Sequence, residues 1–201
     1  SGTVTVNGGA TAGILDLLSS TLNLTNTTPD TIVLRVNSGT ANGELIMDDL
    51  SVIRLSGATK ILVEGKITCD PDMSSQLTPA NKPKITSTGA AVDYSIEFKT
   101  TNVVVNALAI SNYDSNGLVL TPPTSGSVLN SLTLNFVDFT NAVSGGRHLT
   151  LNTNGAINWG STAGTPAPFQ RCTFDATFNT ASGKNVVSLP AELGAGEQLP
   201  L

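Results

Sequence analysis

The richest run of oxygen donors in this chain is Asn112-Tyr113-Asp114-Ser115-Asn116-Gly117. Oxygen-bearing side chains stand at alternate positions and a glycine follows, as in the first half of an EF-hand loop. Asn112, Asp114 and Asn116 are therefore the candidate calcium ligands. Pro123 stands where that loop needs its closing Glu. The competing reading is a turn whose Asn and Asp side chains bond the local backbone. Two acidic pairs, Asp48-Asp49 and Asp70-Pro71-Asp72, come next, because glycoside hydrolysis uses two carboxylates roughly 5–9.5 Å apart. Adjacent strand residues face opposite sides, which sets Asp48 and Asp49 apart, and Asp70 to Asp72 read as a solvated turn. His148 is the sole histidine, and no Ser-His-Asp or zinc set assembles around it without partners at ligand spacing. Tyr94, Tyr113 and Trp159 have faces that stack on sugar rings, but the alternation around Trp159 favours packing. No catalytic residue and no cofactor or metal site beyond the calcium candidates is expected. Asn23 and Asn26 begin glycosylation sequons, of a kind that arises by chance in a chain so rich in Asn and Thr.

The segments that position these residues are mostly short strands. Between Asp93 and Phe139 apolar residues alternate: Tyr94, Ile96 and Phe98, then Val103 and Val105, Leu108 and Ile110, Leu118 and Leu120, and Leu132, Leu134 and Phe136. Such alternation puts one face of each strand against a core. Near the start the period changes. Ile14, Leu15, Leu18 and Leu22 fall at three- and four-residue spacings behind Thr11, a plausible N-cap, which predicts a helix over roughly Ala12 to Asn23. Leu18 is expected to cover the first coil. A loop from Asp70 to Lys84 carries three prolines. Val63, Ile85, Leu108, Leu132, Leu151 and Phe174 recur at intervals of 19 to 24 residues. That spacing suits the coil of a parallel solenoid, whereas strands every 8 to 12 residues also suit a sandwich or jelly roll.

Composition excludes some functions. Charged residues are 12% of the 201, about half the usual share of roughly 25%. A net charge of −5 argues against nucleic acid as a partner. No apolar run is long enough to span a membrane. Ser1 is expected to be either a processed N-terminus or a boundary of the segment. Cys69 and Cys172 do not make a disulfide framework and, several coils apart, are expected to be free, buried thiols.

The order Thr3–Val6 strand, Gly8-Gly9, apolar-periodic Ile14–Leu22, Pro29-Asp30, Ile32–Val36 strand and Asn37-Ser38-Gly39 resembles the opening of the pectin-lyase-like proteins, which are right-handed parallel β-helices. The segment VVVNALAISNYDSNGLVL looks like one of their coils. The resemblance implies an all-β solenoid with a helix plugging its first coil, and it brings polysaccharide lyases and hydrolases into view. The family's hydrolase signature of paired Asp with Gly-His-Gly is missing; Gly146-Arg147-His148 is only an echo. Arg147, Arg171 and Lys184 have no acidic cluster beside them of the kind a lyase site needs.

The expectation is one domain over 1–201, with an N-terminal strand and capping helix at 1–30, coils at 31–189 and a tail at 190–201. Its expected role is that of an extracellular or cell-surface structural or adhesive module, non-catalytic and self-assembling. Val4, Val6, Leu193, Leu199 and Leu201 are the candidate assembly contacts. The alternative is a polysaccharide-binding or polysaccharide-degrading protein.

Overall fold

The computed structural model describes residues 3–26, 28, 31–76, 78–89, 93–123, 133–141, 147–152, 169–170, 172–174 and 187–188. The chain winds in coils of three short strands. The first coil holds β1 (Val4–Val6), β2 (Ile14–Asp16) and β3 (Thr21–Thr25), and the second β4 (Ile32–Val36), β5 (Glu44–Met47) and β6 (Val52–Ser56). The third has β7 (Lys60–Val63), β8 (Lys66–Cys69) and β9 (Lys84–Ser87), and the fourth β10 (Tyr94–Phe98), β11 (Val103–Val105) and β12 (Leu108–Ser111). The fifth has β13 (Tyr113–Leu120), β14 (Thr133–Asn135) and β15 (Val137–Thr140). Then follow β16 (Leu149–Leu151), β17 (Phe169–Gln170), β18 (Thr173–Phe174) and β19 (Val187–Ser188). Each sheet takes every third strand. Sheet I runs β1-β4-β7-β10-β13-β16-β19, sheet II β2-β5-β8-β11-β14-β17, and sheet III β3-β6-β9-β12-β15-β18.

Every ladder between these strands is parallel. The fold is therefore a three-faced parallel solenoid, not a sandwich or jelly roll. Alternating residues turn inward and stack coil on coil. Val36, Val63, Phe98 and Leu120 form one column, and Ile53, Ile85, Ile110 and Phe139 another. These eight side chains are at most 1% exposed. Each contributes about 1.5–3 kcal/mol of burial.

The coil is longer and less regular than the sequence spacing predicts. In sheet I, Val4 lies beside Leu34, Leu34 beside Ile61, Ile61 beside Ile96, Ile96 beside Leu118, Leu118 beside Leu149 and Leu149 beside Val187. The offsets are 30, 27, 35, 22, 31 and 38 residues. The residues that suggested the shorter period lie in different sheets: Val63 in sheet I, Ile85 and Leu108 in sheet III. Extra residues are taken up at the corners and at two bulges in sheet I, between Ile32 and Leu34 and between Tyr113 and Leu118.

The predicted capping helix is not formed. Residues 12–23 instead supply β2, a corner and most of β3. Leucines at three- and four-residue spacings fit a helix face, but they fit strand-corner-strand equally well. Ser19, Ser20, Thr21 and Asn23 are poor helix formers. A five-residue parallel ladder from Thr21–Val52 to Thr25–Ser56 outweighs that local preference. At the corner Leu18 and Ser19 adopt φ of 42° and 61°. Leu18 therefore points outward, 68% exposed, while Leu17 and Leu24 are buried. It does not cover the coil.

Corners between sheets I and II are tight. A Cβ on Gly65 would lie 2.3 Å from the Gly43 carbonyl oxygen, and one on Gly43 would lie 2.5 Å from that of Val6. Glycine at both places lets successive coils close up.

Candidate functional site at an acidic corner

The corner between sheets II and III gathers Asp48, Asp49, Asp70 and Asp72. The register Met47–Cys69–Val105 in sheet II, continued from Val105 to Leu134, makes the next residues equivalent: Asp48, Asp70, Asn106 and Asn135. One slot in four successive coils thus carries a short carboxylate or amide side chain. The backbone binds it from coil to coil. The Asp70 N–H donates to the Met47 carbonyl (2.8 Å), and the Asn106 N–H donates to that of Cys69 (3.0 Å). The buried Asn106 amide Nδ2 donates to the Asp70 carbonyl at 2.9 Å.

Asp70 adopts φ 52°, which turns the chain sharply into the loop before β9. Two 3-10 turns, Ser74–Gln76 and Pro79–Asn81, carry this loop back over the second coil, where the Leu50 N–H donates to the Asn81 carbonyl (2.7 Å). This wrap brings Asp49 to Asp70 and Asp72, with one carboxylate oxygen from each within 4.8 Å of the other two. Serines orient them. Ser75 Oγ donates to Asp49 Oδ1 (2.5 Å), and Ser74 Oγ and the Ser75 N–H donate to Asp70 Oδ1 (3.2 and 3.3 Å). Asp72 Oδ1 accepts the Ser74 N–H at 3.1 Å.

The electrostatics follow from this crowding. Burial, with repulsion from Asp49, pushes the Asp70 carboxyl above its ordinary range. Burial also raises Asp48, helped by Asp16, Asp72 and Asp49. Hydrogen bonds from Ser74 hold Asp72 below the usual range. The ion pairs among the described residues join Arg35 to Glu64, Lys60 to Glu97, Lys66 to Glu44, Lys82 to Asp138 and Lys99 to Glu64. None of them reaches the acidic corner. A corner with this much unneutralised oxygen takes up protons or hard cations.

The residues singled out from the sequence lie elsewhere. Asp114 to Gly117 bulge out of sheet I, since Tyr94 pairs with Tyr113 and Ile96 already with Leu118. Asp114 Oδ1 accepts the Asn116 N–H (2.9 Å) and Oδ2 accepts Asn116 Nδ2 (3.3 Å). Asn112 sits at a corner with φ 60°, and its Nδ2 donates to Thr86 Oγ1 at 3.3 Å. His148 is buried, with Nδ1 against the Tyr113 hydroxyl and Phe139 packed nearby. Tyr94 is buried with its hydroxyl between the Ile85 and Ser111 carbonyls. Asn23 is exposed on β3, and Asn26 is buried with Oδ1 accepting the Thr28 N–H at 2.9 Å. Neither cysteine is in a disulfide: Cys69 is buried as expected, whereas Cys172 is only half-buried, its Sγ donating to the Leu134 carbonyl at 3.5 Å. Trp159, Arg171, Lys184, Leu193, Leu199 and Leu201 lie outside the described residues.

Sequence reasoning set Asp48–Asp49 and Asp70–Asp72 aside separately and missed that the fold joins them. A signal existed. IMD, TCD, VVN and TLN each end an apolar strand on Asp or Asn, and aligning them superposes the corner. Among the described residues no helix is long and apolar enough to cross a membrane. No family model, curated protein or solved structure gives a significant match to this chain.

Proposed function

We propose that the chain is a structural or adhesive module of an extracellular solenoid, and that its first coil stacks on a second copy of the chain. The observation that carries this reading is the first coil itself. The outer edges of β1, β2 and β3 have no partner strand among the described residues. Val4, Leu15 and Leu22, in register with the fully buried Leu34, Leu45 and Ile53 of the second coil, are exposed or only half-buried there, and Val6 lies buried just inside. Uncovered strand edges invite pairing, and the low charge of the chain opposes it little. A contact of this head-to-tail kind does not close on itself and builds filaments. The solenoid is expected to be right-handed, as crossovers between parallel strands nearly always are, and of the pectin-lyase-like type. Light scattering from about 1 to 100 µM tests the idea. The chain should grow in mass with concentration, and the variant Val4→Lys should stay monomeric. A constant single-chain mass for both would sink it.

A second reading has its own observation. A surface depression across sheet I is lined by Ile32, Lys60, Ser95, Glu97, Asp114 and Asn116, from four successive coils. Such a polar track suits an extended polysaccharide. Binding to a panel of acidic and neutral polysaccharides, weakened by Lys60→Ala, would support this role. No retention on any of them would remove it.

A further inference from the structure

We propose that Asp49, Asp70 and Asp72 bind one divalent, oxygen-seeking cation, and that calcium is the ion the site fits best. The convergence of three carboxylates is not the whole case. Asp70 is fully buried, and its Oδ2 has no hydrogen-bond partner. The same carboxylate's Oδ1 is engaged by Ser74 and Ser75. A buried, unpaired carboxylate oxygen is costly, and a cation beside it removes that cost. The protein's own cation at the end of this loop does not serve. Lys82 is buried, paired with Asp138 at 2.6 Å and lying 3.5 Å from the centre of the Phe136 ring.

A shared proton is the competing solution. It suits Asp70 and Asp49 as a pair but leaves Asp72 unexplained. Asp72 stands exposed at the mouth of the site, and its bonds from Ser74 keep it ionised. Ligand number separates the candidate ions. One oxygen of each carboxylate lies within 4.8 Å of the other two. Magnesium is usually held by one or two carboxylates and keeps several waters, whereas calcium takes six to eight oxygen ligands in flexible geometry, so three converging carboxylates favour calcium. Serine hydroxyls bond Asp49 and Asp70, and the Ser74 N–H bonds Asp72, partners of the kind that orient ligands for a metal. A bound ion would tie the loop of the third coil to the corner of the second and so lock two coils together.

Calcium titration of the full chain by calorimetry, with melting in EDTA, magnesium and calcium, tests the assignment. One calcium ion per chain is expected. The midpoint should rise by about 5–10 °C at one hundred times Kd, with a smaller rise in magnesium. Asp49→Asn and Asp72→Asn should each weaken calcium binding by about tenfold or more, yet melt in EDTA no lower than the parent chain. Asp114→Asn should leave binding unchanged. Three results would each overturn the proposal: no heat and no midpoint shift at millimolar calcium, binding undiminished in both Asp49→Asn and Asp72→Asn, or binding abolished by Asp114→Asn.

Discussion

One slot at the corner between sheets II and III is filled in two ways. In the second and third coils it holds Asp48 and Asp70, and in the fourth and fifth Asn106 and Asn135. The backbone that delivers them is the same: an apolar strand end, then the corner. Asn106 satisfies itself within the protein by donating to the Asp70 carbonyl. Asp70 has only acceptors to offer, and one of its oxygens is left over. Asn135 Oδ1 is also without a partner, but a neutral amide oxygen is less costly to bury than a carboxylate. The amide half of the ladder is a fastener. In the acidic half, the Asp70 carboxylate accepts hydrogen bonds, among the described residues, only from Ser74 and Ser75 of its own loop.

Breaking the fastener should have the largest effect. Asn106→Ala removes the buried bond to the Asp70 carbonyl and should cost about 1–3 kcal/mol in denaturant melting. A loss under about 0.3 kcal/mol would show that the amide half does not hold the coils together.

The acidic half should respond to pH. The folded-state pKa of Asp70 is raised by burial and by Asp49 above an unfolded value near 3.9. Below that value the carboxyl is protonated in both states and costs nothing. As pH rises through it, the unfolded chain releases its proton more readily, so stability falls until the folded pKa is passed. Asp70→Asn removes this term. In EDTA the variant should gain on the parent chain as pH rises from about 3.9 towards the raised folded-state pKa. A difference that stays flat or runs the other way would mean that Asp70 is not held in a charge-averse place.

The smallest effect belongs to the same corner in the first coil. Leu18 is turned outward there, so Leu18→Ala in dilute monomer should change stability by less than about 0.5 kcal/mol. A loss above about 2 kcal/mol would mean that another part of the chain covers it.

Local pattern by itself determined the strands from Tyr94 to Leu120 and their faces, but not Phe136, which turns a corner at φ 56° and is only half-buried. Tyr94, Ile96, Phe98, Val103, Val105, Leu108, Ile110, Leu118 and Leu120 alternate in the sequence and are all fully buried, because side-chain direction along a strand repeats every two residues whatever the strand pairs with. The lack of a Cys69–Cys172 disulfide followed from their expected separation by several coils, although Cys172 is half-buried and not buried as expected. Three things were decided only by the tertiary structure. Residues 12–23 became strands because their backbone found a parallel partner in the second coil, and pairing at that range leaves no local trace. The coil length escaped the spacing argument because corners and the bulges of sheet I absorb insertions. The acidic corner escaped for the same reason. Asp49 and Asp70 are 21 positions apart in sequence, and they meet only because the Asp70 loop folds back over the coil before it.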